Sequence, residues 1–183
     1  MPALFIRIHG MGIAETATYF GLALGVASAV GTLLGGTLAD RLSQVDQRMY
    51  VWLPAAGVLV AFPFYLVALV LDNPYLAIAV LVAPSLLNSL WLGPTFGTIQ
   101  NLAPMRMRAL ASAMLLFILN IIGLGLGPFL VGVLSDLLSG PFGIDSLRYA
   151  ILIATVAYLW AGAHFLFAGR TIRRDLAATE VST

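Results

Sequence analysis

Five apolar runs of twenty or more residues, parted by short polar breaks, leave this chain few folds to choose from. A helix needs about 20 apolar residues to cross a hydrocarbon layer roughly 30 Å thick. The runs place five spans at residues 14–39, 49–71, 75–102, 108–134 and 147–168. None carries a charge well inside it, as expected when an Arg or Asp at a helix centre costs about 2.5–3.5 kcal/mol. The opening residues 2–8 are apolar but too short to cross. They read either as an interfacial lead-in or as the end of a further span.

Composition agrees: 61% of residues are hydrophobic, 9% are charged and the mean hydropathy is +1.00, against roughly 45–50% apolar in soluble domains. The expected class is an all-α integral membrane protein. A formal net charge of +1 gives no concentrated basic face, so nucleic acid is not an expected partner. With no Cys there is no disulfide, thiolate metal site or cysteine nucleophile. No metal or cofactor is expected. His9 and His164 fall at distant ends and no Gly-x-Ser-x-Gly is present, so no enzyme is expected either. The N-terminus lacks a cationic stretch ahead of an apolar core and is not read as a signal peptide.

Orientation follows from arginine, the only strong cation in the chain. Arg41, Arg48, Arg106, Arg108, Arg170, Arg173 and Arg174 fall on one side of the expected bilayer, Arg7 and Arg148 on the other. Positive residues in short loops stay cytoplasmic. The C-terminus is therefore expected in the cytoplasm and the N-terminus outside, in the plasma or inner membrane. The tail from Gly169 reads as short and soluble, its arginines anchoring that orientation.

Several features go beyond mere spanning. The first span carries Gly21, Gly25, Gly31, Gly35 and Gly36, spacings that let another helix approach closely, as plain packing or as a sliding seam. Where that run stops, Gly36-Thr37-Leu38-Ala39-Asp40-Arg41 leads through a short loop to Arg48. A carboxylate at a helix C-terminus opposes its own dipole and seeks a partner elsewhere. Asp72-Asn73-Pro74 turns the chain at once, so the second and third spans should be antiparallel neighbours. The third span is polar. Asn88, Trp91 and Thr95 fall on one helical face, lining a solute path or bonding a neighbouring helix. Asn120 shares a face with Gly123 and Gly127, with the same two readings. Residues 139–146 read as an external turn with Asp145 or Ser146 as helix cap, and Glu15 as a solvated helix-start residue. Gly31, Gly36, Leu38, Asp40 and Leu42 recur at one constant offset as Gly127, Gly132, Leu134, Asp136 and Leu138. Three crossings separate the copies, which is an inverted repeat of the kind transporters use.

The pattern Gly36-x-Leu38-Ala39-Asp40-Arg41 with Arg48 resembles the loop signature of the major facilitator superfamily. The order Gly93-Pro94-Thr95-Phe96, Gln100-Asn101-Leu102, Pro104-x-Arg106-x-Arg108-Ala109 and Gly123-x-Gly-x-Gly127-Pro128 is similar to the tenth and eleventh helices of its spinster-like members. The resemblance implies five transmembrane helices from the C-terminal half of that fold, with part of the helix before them. It implies that Gly36, Asp40, Arg41 and Arg48 form a latch between two halves of a carrier, although Ser43 and Gln44 depart from the usual signature. It further implies a missing N-terminal half as partner and a small or amphiphilic, possibly lipid-like, organic substrate moved by alternating access. The alternative is a non-transporting membrane scaffold or a truncated gene product.

Overall fold

A computed structural model describes residues 1–180, all-α with no strand among them. We number its helices α1 (Pro2–Arg7), α2 (Ile13–Ser43), α3 (Met49–Val70), α4 (Pro74–Leu102), α5 (108–142), α6 (146–168) and α7 (Ile172–Glu180). Among the described residues, four continuous helical stretches are long and apolar enough to cross a membrane. The last, Met105–Ala168, holds 64 residues, which unbent would run about 95 Å. It folds back at Gly143, whose φ of +52° suits a residue without Cβ. A buried hydroxyl pair, Ser135 to Ser146 at 3.2 Å, ties the two arms. Residues 108–142 and 146–168 thus form a hairpin, α5 and α6.

The elements form where apolar length allows and stop where chain chemistry demands. Asn73 caps α4, its side-chain oxygen accepting from the N–H groups of Tyr75 and Leu76 at 3.0 and 3.1 Å. Pro74 occupies the first turn, where no N–H is needed. With so tight a turn, α3 and α4 pack along each other, and α2 and α6 flank them. Many large apolar side chains face outward, Leu33 at 71% and Leu124 at 74% exposed among them. In water such a surface would be a liability; in lipid it is the solvated face.

Several sequence expectations change. Helix α2 runs on through Ser43, so Asp40 and Arg41 occupy its last turns and the loop is confined to residues 44–48. Helix α5 continues past Leu134 to Phe142, placing Asp136 inside a helix and narrowing the external turn to Gly143–Asp145. Asp145 stands at the N-cap of α6 without capping it, because its carboxylate pairs with Arg148 at 3.5 Å. Glu15 is not simply solvated either. It accepts from the Tyr75 hydroxyl at 2.7 Å and joins α2 to α4.

Helix α1 packs rather than floats. Leu4 and Phe5 are buried against Ala61, Tyr65, Leu69, Ile78, Leu81 and Leu147, and Phe5 meets Phe20 edge-on. A second small cluster closes the opposite end, where Ile172 and Leu176 of α7 bury against Val51, Tyr50, Trp52, Leu102 and Phe165. The C-terminal segment expected as a soluble tail is therefore a docked amphipathic helix over the described residues. Its apolar positions, four apart, form one stripe.

Candidate functional site

The polar span is broken where its chemistry is densest. Helix α4 consists of Pro74–Ser89 and Leu92–Leu102, joined at Leu90 and Trp91. Pro94 has no N–H to offer the carbonyl four residues back, at Leu90. The Leu90 N–H tightens onto Leu87 O at 3.3 Å, which leaves the Leu86 carbonyl outside the regular ladder. These two carbonyls face Gly31 and Gly35 of α2, and a Cβ on either glycine would collide with them. The seam extends to Gly36, whose Cα lies 3.0 Å from where a Cβ on Gly93 would sit. Backbone meets backbone there because side chains are missing on the contacting faces.

The other expected packing glycines behave differently. A Cβ on Gly21, Gly25 or Gly123 would meet nothing within 4 Å, and one on Gly127 would meet only its own helix, Ile122 O at 3.7 Å. The expectation that these four pack against another helix fails within this chain. Gly21 and Gly123 lie in the π-helical stretches Phe20–Leu24 and Leu119–Leu126, and Gly25 and Gly127 directly follow them. Sequence reading missed three other tight glycines: a Cβ on Gly57 would lie 2.5 Å from Leu87 O, one on Gly162 would run into the Leu59 side chain and one on Gly169 into Trp52.

On its other side the break opens a groove of about 340 Å³ between α3, α4, α5 and α6, where Asn88, Trp91, Val58, Leu119 and Phe165 are among the lining residues. Asn88 is half-buried and its amide has no partner among the described residues. Thr95 is not among the lining residues; its hydroxyl is buried and unpartnered, as is that of Thr98. A single face through Asn88, Trp91 and Thr95 required an unbroken helix, and the break at Leu90 and Trp91 removes it. Asn120 also misses the groove. It is exposed, its amide nitrogen donates to Leu116 O at 2.7 Å, and its neighbour Leu119 faces inward instead.

At the arginine-rich end, Asp40 and Arg41 are exposed and neither side chain has a partner among the described residues. Arg48 is occupied: its guanidinium lies over the Trp52 ring at 5.5 Å, and its N–H donates to Asp46 Oδ1 at 2.9 Å. Asp46, which sequence reading passed over, is the hub of the loop. Arg173 of α7 grips it through Nε to Oδ1 at 2.9 Å and a second nitrogen to Oδ2 at 2.7 Å. The fork-to-fork geometry fixes α7 against the loop. The Arg48 N–H first, then Arg173, hold the Asp46 carboxyl below its ordinary value. A depressed folded pKa contributes stability above the unfolded value of about 4, and that contribution fades as pH falls through the lower folded value. Docking of α7 is therefore expected to be constant from pH 8 to 5 and to weaken only in stronger acid. An Asp46→Asn variant should show at neutral pH the loosened α7 that the parent shows in acid. Hydrogen exchange of amides 172–180, corrected for intrinsic rate, tests this; identical exchange in parent and variant at pH 7 would refute it.

No family model matches the chain. Over 96% of its length it is 35% identical to an MFS-type efflux pump of Mycolicibacterium smegmatis, and it covers 41% of that protein. Over 90% it is 26% identical to protein spinster homolog 3 of Danio rerio, covering 34% of it. It also superposes on the crystal structure of a bacterial homologue of the human lysosomal transporter Spinster. The inward-facing, unoccupied form matches 94% of this chain and 43% of its own, with a TM-score of 0.84 at 25% identity. The chain is similar to spinster-like members of the major facilitator superfamily. It corresponds to the C-terminal portion of that fold. The inward-facing, occupied form of the same homologue gives a TM-score of 0.83 at 25% identity over 95% of this chain and 45% of its own. Its apolar helices make it a multi-pass membrane protein, and the proteins it resembles are transporters. The chain spans about two fifths of the length of the first relative it matches.

Proposed function

We propose that the chain is the C-terminal moving part of a secondary carrier that passes a small or amphiphilic organic solute across the membrane by alternating access. The observation that carries this reading is the Asp40–Arg41 corner, two opposite charges left at a helix end without side-chain partners among the described residues. Such a corner is built to dock on something else, and the matching signature serves as a latch between carrier halves. Helix α5 supports it. From residue 108 to 134 no side chain is buried, although both ends are tied down, through Gln100 to Ser112 at 3.2 Å and Ser135 to Ser146. A face so bare suits the approach of another half. The relatives, more than twice as long, are named for efflux and as a spinster homologue.

In this reading the arginine-rich end is cytoplasmic and the first residues face outside. The groove around Asn88 and Trp91 gives an amphiphilic solute an apolar wall with one unpartnered amide. A coupling proton would be taken by a carboxylate outside this chain, since its own acidic groups sit at helix ends or, for Asp136, on an exposed face.

In proteoliposomes the chain alone is expected to show no saturable, pH-gradient-driven lysolipid uptake, while fusion behind the N-terminal portion of the 35%-identical pump should restore transport. Saturable uptake by the chain alone would overturn the need for a second half. The close Gly31 and Gly35 seam favours a second reading, a scaffold without transport. That reading requires the fusion to be inert and unaffected by Asn88→Ala or Trp91→Ala.

A further inference from the structure

The loop 44–48, the turn Met105–Met107 and α7 enclose a cavity of about 710 Å³ at the arginine-rich end. Gln47, Tyr50, Asn101, Arg106 and Arg108 are among its lining residues, and among the described residues no carboxylate lines it. Neither Arg106 nor Arg108 has a hydrogen-bond or ion-pair partner among the described residues. Of the other arginines at this end, only Arg41 is likewise without a side-chain partner among the described residues, and it does not line the cavity. Arg173 is held by Asp46, Arg48 lies over Trp52, Arg170 lies over Phe167 at 4.8 Å and Arg174 neighbours Asp175 at 3.8 Å. Two unpaired guanidinium groups beside a phenol and two amides form a donor-rich bowl suited to phosphate oxygens.

A second observation narrows the source of the phosphate. Met105 is 78% and Met107 50% exposed, on either side of Arg106. Apolar side chains that far out add nothing to a site for a soluble anion. At the boundary of a bilayer, the same residues lie against acyl chains while the adjacent arginines meet headgroups.

We infer that this cavity binds the phosphate headgroup of an anionic phospholipid from the adjoining leaflet. Arg106 and Arg108 take the phosphodiester, and Met105 and Met107 contact the upper acyl chains. Leu176 of α7 lines the cavity too, so the site is complete only while Asp46 and Arg173 hold that helix down.

The test is native mass spectrometry of the full chain in mixed micelles with equal phosphatidylglycerol and phosphatidylcholine. The parent should retain phosphatidylglycerol preferentially. The double variant Arg106→Gln/Arg108→Gln should retain it about thirtyfold less, the product of two headgroup-level arginines. Arg106→Lys/Arg108→Lys should fall between, keeping charge but losing the planar fork. Arg7→Gln at the opposite end should match the parent, and circular dichroism should show equal helicity in all four. Equal retention by the Gln double variant, or no preference between the two lipids, would overturn the inference. Displacement of the lipid by comparable concentrations of inorganic phosphate would overturn the lipid source and leave a soluble-anion site. Loss of phosphatidylglycerol binding in the fusion with an N-terminal half would overturn it as well, in favour of an acidic protein segment in the cavity.

Discussion

Gly35→Ala is expected to destabilise the chain by about 3 kcal/mol, the upper end of the range for overpacking, and Gly35→Leu to abolish the native bundle. The added Cβ would meet the Leu90 carbonyl carbon and Cα, each at 2.8 Å, as well as the carbonyl oxygen. None of these atoms can move aside by changing rotamer. Relief requires α2 to separate from α4, and Gly31, one turn earlier, repeats the obstruction with Leu86. Separation would also strand the two carbonyls released by the break at Leu90 and Trp91. Gly25→Ala is the control, since its Cβ would enter open space; it should be neutral or slightly stabilising. Thermal unfolding in detergent, followed by circular dichroism, measures all three. An unchanged midpoint for Gly35→Ala would mean that the seam is not closed in solution.

The second large effect is on transport. In the fusion with an N-terminal half, Asp40→Ala and Arg41→Ala should each lower the rate about tenfold or more. A charge-assisted hydrogen bond is worth about 1.5–3 kcal/mol, which removed from one of two alternating states shifts their balance by that order. The isolated chain gives the contrast. Asp40 and Arg41 have no side-chain partner there among the described residues, so its melting should not change in either variant. A purely structural role predicts the reverse, a lowered midpoint with normal transport per folded molecule. Exchanging the two, as Asp40→Arg with Arg41→Asp, should not rescue, because docking depends on which charge lies at which position.

Much of this was legible from one dimension. Span lengths follow from apolar runs because the bilayer imposes a fixed thickness on any helix, and the α3–α4 turn follows from Asn73-Pro74 because its cap and its missing N–H are local. The Asp40–Arg41 corner was visible as a motif for the same reason. The break in α4 was half legible: Pro94 announces a lost hydrogen bond, but not that the helix would tighten before it and turn Thr95 away from the groove shared by Asn88 and Trp91. Asp46 was not legible at all. Its partner Arg173 lies 127 residues away, and nothing in a five-residue loop announces which of seven arginines at that end will reach it.

The sequence by itself determined that this is a multi-span membrane chain with motifs resembling those of spinster-like carriers, since hydropathy, turn chemistry and short motifs act over neighbouring residues. Only the tertiary structure decided which glycines are seams, which polar groups share a groove, and that the C-terminal arginines clamp a helix over the loop. Those outcomes depend on which surfaces meet, and contact between distant segments is set by packing in three dimensions, which no local pattern encodes.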